Sequence, residues 1–243
     1  LAPGNIAHEW TAALHARTAS RVVAVGSRAL ERAQRFAAVF GVERSHGSYE
    51  SLVADSDVDA IYVASPHSEH HDHALLALDA GKPVLVEKAF TRNAAEAAAV
   101  IEAGRARGLL VVEAMWTRFL PHIDVVRRCL EDGLLGDVVA VEADHGQLLY
   151  PAGPQRLADP ALAGGALLDL GIYPVSFAHL VLGGFSAVHA TGTLAETGVD
   201  ASETVAVTNA GGAIGTLSST MCAKTPCAAA VSGTAARLEI DGW

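Results

Sequence analysis

The sequence predicts an α/β protein: an N-terminal parallel sheet wound by helices, then an α+β domain with an open, largely antiparallel sheet. Three observations carry that expectation. Up to about residue 115, short apolar strands alternate with helical segments of about ten residues or more, the rhythm of βαβ units. From Met115 the alternation stops. A series of strand-like runs follows, broken by one long helical stretch, which is the order of an α+β unit.

The elements follow in order. His8 to Ala16 reads as a helix and Arg21 to Val25 as a strand. Arg28 to Phe40 reads as a helix ended by Gly41. Asp59 to Ala64 is the next strand, Glu69 to Ala80 a helix stopped by Gly81, and Val84 to Val86 a fully apolar strand. Asn93 to Arg107 is a helix closed by Gly108, and Leu109 to Glu113 a further strand. In the second half, Pro121 to Asp132 and Gly165 to Leu182 read as helices. Val138–Ala143, His189–Leu194, Glu203–Asn209, Ala213–Ser219 and Ala228–Ser232 read as strands. The expected division is 1–116 and 117–243. The chain reads as cut at both ends: it opens at a turn with no strand before it, and residues 238–243 look like a strand with more sheet to follow.

Composition narrows the function classes. With 51% hydrophobic but only 5% aromatic residues, Ala, Val and Leu must carry the burial. A formal net charge of −10 argues against nucleic-acid and anionic-membrane partners, which favour basic patches. No run approaches the roughly 18 consecutive apolar residues of a membrane span. No signal peptide is visible, although the chain starts at Leu1 without a Met. Cys129, Cys222 and Cys227 are odd in number and lack metal spacing, so reduced thiols in a cytoplasmic protein are expected.

Residues 80–90 hold the densest chemical signal. The strand Val84-Leu85-Val86 runs into an acid and a base, Glu87 and Lys88. Ligands of open parallel sheets bind outside the carboxyl ends of the strands, which is where this pair falls. The second signal is Gly165-Ala166-Leu167-Leu168-Asp169-Leu170-Gly171-Ile172-Tyr173. Asp169 and Tyr173 are four apart and share a helix face. A phenol has an ordinary pKa of about 10, which a neighbouring ammonium such as Lys88 lowers. Such a Tyr can exchange a proton with a carbonyl oxygen; without Lys88, the plainer reading is a core Tyr and a structural Asp.

A Gly-rich turn opens the chain. Leu1-Ala2-Pro3-Gly4-Asn5-Ile6-Ala7 keeps Gly4 and Ala7 of G-x-G-x-x-[GA] but has Ala2 in the first Gly position. Read alone, it is equally an ordinary loop before a helix. As a nucleotide turn, Gly4, Asn5 and Ile6 would approach a pyrophosphate at a helix N-terminus. The next strand ends Gly26-Ser27-Arg28, with no acid for ribose hydroxyls. An Arg there can hold a 2′-phosphate, which favours NADP over NAD; the alternative is a solvated first-turn Arg. Ser65, Pro66, His67 and His70 follow the strand ending at Ala64 and are read as a loop contacting the cofactor. The His cluster lacks H-E-x-x-H and has no Cys beside it, so no metal is expected.

With these motifs in this order, the chain resembles the Gfo/Idh/MocA oxidoreductase family over essentially its whole length. The family's E-K-P stands here as Glu87-Lys88-Ala89. Together with Glu113-Ala114-Met115-Trp116-Thr117-Arg118-Phe119 and Tyr173, it looks most like the dihydrodiol dehydrogenase and glucose–fructose oxidoreductase branch. The resemblance implies a Rossmann domain over 1–116 and a substrate-binding and oligomerisation domain over 117–243. It implies a bound NADP or NAD and oxidation of a secondary alcohol on a sugar, polyol or cyclic dihydrodiol. It further implies a homodimer or homotetramer formed through the second sheet. By position, Lys88 is the conserved lysine, Asp169 the helix carboxylate and Tyr173 the proton donor or acceptor. Glu87 would orient Lys88 or contact the ribose, and Trp116 and Arg118 would line the substrate pocket. With Ala89 in place of Pro, a trans bond is expected after Lys88, because a non-proline cis bond costs about 2.5–4 kcal/mol. The rival class is a non-catalytic nucleotide-binding sensor or partner subunit, which needs neither Lys88 nor Tyr173.

Overall fold

The computed structural model describes residues 1–242 and separates into two compact units, Leu1–Ala114 and the chain from Met115 onward. In the first, α1 (Asn5–Arg17) precedes β1 (Ala24–Gly26), α2 (Leu30–Phe40), β2 (Arg44–His46) and α3 (Tyr49–Val53). Then come β3 (Ile61–Val63), α4 (His70–Asp79), β4 (Val84–Glu87), α5 (Ala94–Arg107) and β5 (Val111–Ala114). β1 pairs with β2, and β3, β4 and β5 pair in that order, all parallel. The first two residues join the two ribbons. Leu1 donates its amino group to Tyr62 O at 2.9 Å and accepts from Ala64 N at 3.2 Å, while Ala2 N donates to Gly26 O at 3.1 Å.

Sequence chemistry accounts for the borders. Asn93 Oδ1 accepts from Glu96 N at 3.0 Å and starts α5, while Gly41 and Gly108 end α2 and α5 with φ of 67° and 65°. Val63, Val84 and Val86 bury themselves against Leu52, Leu78 and Val100 in one apolar cluster. The expected strand at Arg21 begins instead at Ala24, because Val22 N is taken by His15 Nε2 at 3.0 Å rather than by a neighbouring strand. β2, polar throughout, and the short α3, which buries Leu52 and Val53, were not expected. β2 is held by its ladder to β1 and by Asp55, whose carboxylate pairs with Arg44 at 2.8 Å and His46 at 3.1 Å.

The second unit has α6 (Pro121–Glu131), β6 (Val138–Gly146), α7 (Ile172–Leu182), β7 (Phe185–Leu194), β8 (Asp200–Asn209), β9 (Ile214–Thr220), β10 (Ala229–Gly233) and β11 (Arg237–Ile240). The strands form one mixed sheet in the order β11-β10-β6-β9-β8-β7, parallel between β6 and β9 and antiparallel elsewhere. Phe177, Ala178 and Leu182 of α7 share a buried cluster with Val141, Val207, Leu217 and Val231 from one face of the sheet. Glu142, Thr204 and Thr216 lie exposed along the alternate positions. The stretch Pro160–Leu182 is long and apolar enough by composition to pass for a membrane span, yet 56% of its most apolar window is buried, as in a core helix. The long helix expected from Gly165 is not uniform: Leu167–Gly171 forms a π-helical turn that leads into α7.

Gly104 shows space, rather than backbone freedom, demanding a glycine. A β-carbon there would collide with Cγ2 of Val111, a stiff side chain, and meet Leu109 O at 3.2 Å. Ala is favoured over Gly in a helix by about 1 kcal/mol, while overpacking costs about 1–3 kcal/mol. Gly104→Ala is therefore expected to destabilise by up to about 2 kcal/mol in urea unfolding, against helix propensity.

Candidate functional site

The turn before α1 is built for a close approach. Ala2 adopts φ 61°, the conformation that the first Gly of such a turn supplies, and Ala2 O accepts from Gly4 N at 2.8 Å. A β-carbon on Gly4 would meet nothing within 4 Å, and no side chain caps α1 or places an acid in its first turn. Asn5 and Ile6 are exposed there. An open helix N-terminus with free space at Gly4 fits a dinucleotide pyrophosphate. At the end of β1, Ser27 is buried and its Oγ accepts from Ala29 N at 3.3 Å. Arg28 and, one turn on, Arg32 are both exposed. Both cations pull down the Tyr49 phenol, which burial raises on balance. Arg32 was missed in the sequence, although its spacing of four from Arg28 was the available signal.

At the end of β4 the peptide between Lys88 and Ala89 is cis, which overturns the trans expectation. The segment is held from both sides. Ala89 is buried and its carbonyl lies 2.7 Å from His70 Nδ1, while the other ring nitrogen lies 2.8 Å from Ser65 O. Carbonyl oxygens only accept, so satisfying both contacts needs an N–H on each nitrogen. Phe90 N donates to Glu113 Oε1 at 3.0 Å. His70 is fully buried with its nitrogens on backbone carbonyls, so it braces the loop instead of touching a cofactor as expected. His67 is also buried, edge-on to His70 at 5.6 Å, and Ser65 Oγ pairs with His73 Nδ1 at 2.9 Å. Pro66 is half-buried just ahead of His67. Among the described residues no group of His, Cys, Asp and Glu is placed to hold a metal ion.

Glu87 has a partner that the sequence did not suggest. Tyr62 donates its hydroxyl to Glu87 Oε1 at 2.5 Å, and Lys88 N donates to Oε2 at 3.3 Å. Trp10 of α1 stacks on Tyr62 with centroids 4.1 Å apart. Burial raises the Glu87 carboxyl above its ordinary value, and the Tyr62 bond pulls it part of the way back. Burial also raises the Tyr62 phenol, reinforced by the Glu87 charge.

In the second unit, Asp169 and Tyr173 are both buried. Arg156 Nη2 bonds Asp169 Oδ1 at 3.0 Å. Trp116 is 46% exposed, yet its indole N–H donates to the Tyr173 hydroxyl oxygen at 3.1 Å. The buried ring of His145 lies 4.6 Å from that of Tyr173, tilted by 31°, and Gln147 Nε2 lies 3.0 Å from His145 Nε2. Arg118 Nε reaches Ser176 Oγ of α7 at 3.3 Å. Arg156 and His145 were missed because both lie outside the two motifs.

A parallel sheet with an open Gly turn, joined to a mixed sheet that carries a buried Asp–Tyr pair, defines a dinucleotide-binding oxidoreductase. The profile described as an oxidoreductase family with NAD-binding Rossmann fold matches residues 2–115, and that of the Gfo/Idh/MocA C-terminal domain matches residues 123–239. The chain belongs to the Gfo/Idh/MocA family of nicotinamide-dependent oxidoreductases. It is 41% identical to a trans-1,2-dihydrobenzene-1,2-diol dehydrogenase from Oryctolagus cuniculus over 95% of this chain and 71% of the relative. The Bos taurus enzyme of the same name is 40% identical, over 95% and 70%. Among solved structures, a 3-ketoreductase from Actinomadura kijaniata in complex with NADP and TDP-benzene is 31% identical with a TM-score of 0.85, over 97% of this chain and 73% of that one. Variants of that ketoreductase with tyrosine changed to phenylalanine and lysine to alanine also match.

Tyr62→Phe isolates the support of Glu87. Leaving a buried acceptor unsatisfied costs about 1–3 kcal/mol. Because burial raises the Glu87 carboxyl, the loss is expected to be larger at pH 8 than at pH 5, shrinking as the carboxyl takes a proton. Urea unfolding at pH 8 and pH 5 reads the difference; an equal loss at both would place the cost elsewhere.

Proposed function

We propose that this chain is an NADP-preferring dehydrogenase of cyclic dihydrodiols or closely related polyols and sugars. Tyr173 exchanges the hydroxyl proton, and Lys88 and Asp169 are the other catalytic residues. The observation that carries the reading is the environment of Tyr173. Its oxygen accepts from the Trp116 indole, which commits one lone pair and leaves the phenol O–H directed at another acceptor. The substrate class is supported by the relatives named above, which are diol dehydrogenases at 40–41% identity.

The bound nicotinamide supplies hydride exchange at its ring; the rest is done by the protein. Gly4, Asn5 and Ile6 hold the pyrophosphate at the start of α1, and Ser27, Arg28 and Arg32 hold the 2′-phosphate. Ser65, Pro66 and His67 wall the cofactor at the end of β3. His70 keeps Ser65 and Ala89 in place beneath it. Glu87, fixed by Tyr62, orients the backbone from which Lys88 projects. Asp169, ion-paired with Arg156, accepts from a substrate hydroxyl, and Trp116 closes one side of the ring-binding space. Arg118 serves structure rather than substrate.

The first unit binds the dinucleotide, and the second binds substrate and forms the oligomer. The exposed, Thr-rich face of β7, β8 and β9, with Thr191, Thr204 and Thr216, is assigned to a homodimer or homotetramer contact. The three free cysteines support a cytoplasmic setting.

Lys88→Met is expected to lower turnover of a dihydrodiol by about 100-fold or more, the lower range of general acid–base contributions, with cofactor binding within about threefold. Near-normal turnover would overturn the assignment. Arg28→Ala is expected to weaken NADPH binding by about tenfold, the equivalent of about 1.4 kcal/mol, while NADH binding stays unchanged. Equal titration curves for NADPH before and after the change would reject the phosphate site.

A further inference from the structure

The π-helical turn Leu167–Gly171 rests on two carboxylates of β8. Asp200 Oδ2 accepts from Leu167 N at 2.6 Å, at the start of the turn. Glu203 lies under its end, where Ser219 of β9 donates its hydroxyl to Glu203 Oε1. Gly171 sits directly on that pair: a β-carbon there would meet Ser219 Oγ at 2.6 Å and Glu203 Oε1 at 3.0 Å. Its φ of −64° is ordinary for a helix, so the glycine is needed for closeness and not for backbone freedom. Gly171 falls midway between Asp169 and Tyr173. The height of the turn over Glu203 therefore sets where both side chains point.

We propose that Glu203, with Ser219, is a positioning residue that seats the π-helical turn and so aims Asp169 and Tyr173. This rests on the assignment of those two residues above. π-turns inside helices recur at functional sites, and a misplacement of about 1 Å there can cost about 100-fold in rate. The support is polar and near its limit. Glu203 Oε2 is buried and takes no hydrogen bond among the described residues. Burial, opposed by the Ser219 bond and aided by the nearby Asp200 charge, pushes the carboxyl up to about 7. The groups facing it are Asp200 on β8, Ser219 on β9, Gly192 on β7 and Gly171 on the turn, so Asp200 is the charged one. The folded chain keeps a proton on Glu203 that the unfolded chain releases at ordinary carboxylate pH. Stability of this unit thus falls as pH rises from about 4.5 towards about 7.

The test compares Glu203→Gln, Glu203→Leu and Ser219→Ala with the unaltered protein. Leu and Ala are expected to lower kcat by about tenfold or more while cofactor Kd stays within about twofold. Gln keeps an acceptor for Ser219, and it is expected to restore kcat to within about threefold and to flatten the fall in Tm between pH 5 and 8. Amide exchange across residues 165–173 should quicken in the Leu variant and not in the Gln variant. Unaltered kcat and exchange in Glu203→Leu, or a Gln variant as impaired as Leu, would overturn the proposal. If Glu203→Leu does not fold, Ser219→Ala decides. If the unaltered protein turns over no diol, polyol or sugar, the functional reading falls and the exchange rates alone decide the role of Glu203.

Discussion

The chemistry of the first unit hangs on one buried imidazole. His70 spans from Ser65 O to Ala89 O and ties the loop after β3 to the segment after β4. Both contacts are to backbone, so they fix chain path rather than a rotamer. The direction of Lys88 follows from that path, because Ala89 is its neighbour. Phe90 is caught from the other side by Glu113, at the end of the adjacent strand β5. Three parallel strands therefore converge on one peptide group, Ala89–Phe90. The sheet does not merely display Lys88; it holds the backbone that follows it.

The second unit solves the same problem with different parts. Tyr173 begins a helix buried by apolar packing, and packing alone leaves its hydroxyl unspecified. Direction comes from polar groups: the Trp116 indole on the oxygen, the tilted His145 ring on the face, and the β8 carboxylates beneath the preceding turn. In the first unit Lys88 sits one residue from a carbonyl that buried His70 holds; in the second, Asp169 sits two residues from Leu167 N, which Asp200 holds. Such polar supports are costly to leave half-satisfied, and the raised carboxyls of Glu87 and Glu203 are the visible cost.

Much of this was legible because it is local. The Gly stops after α2 and α5, the helix start near Asn93 and the apolar strand before Lys88 are all signals confined to a few residues. The α/β class and the family followed from their order. What stayed hidden depends on register. Tyr62 lies 25 residues from Glu87 and reaches it only because Tyr62 pairs opposite Leu85, two residues before Glu87 on the same face. β2 had no signal because Arg44-Ser45-His46 is polar throughout and owes its conformation to β1 and Asp55. The π-turn was hidden for the same reason: its sequence is apolar and helical, and the residues that widen it stand on β8 and β9. Ala2 went the other way. It stands where the turn motif has Gly, but one residue at φ 61° costs only about 1–2 kcal/mol, less than the four backbone bonds of Leu1, Ala2 and Gly4 can hold.

Net charge, finally, is a poor guide to what this surface attracts. A chain of −10 overall should repel a dinucleotide, and at low ionic strength the distant acids would contribute. At physiological salt the screening length is about 8 Å, so only near charges matter. There is no acid in the first turn of α1; at the start of α2, Arg28 and Arg32 flank a single acid, Glu31. A helix N-terminus adds roughly half a positive charge within its first turn. The local field is therefore positive where the backbone lies open, and the acidic balance of the whole chain is screened from it.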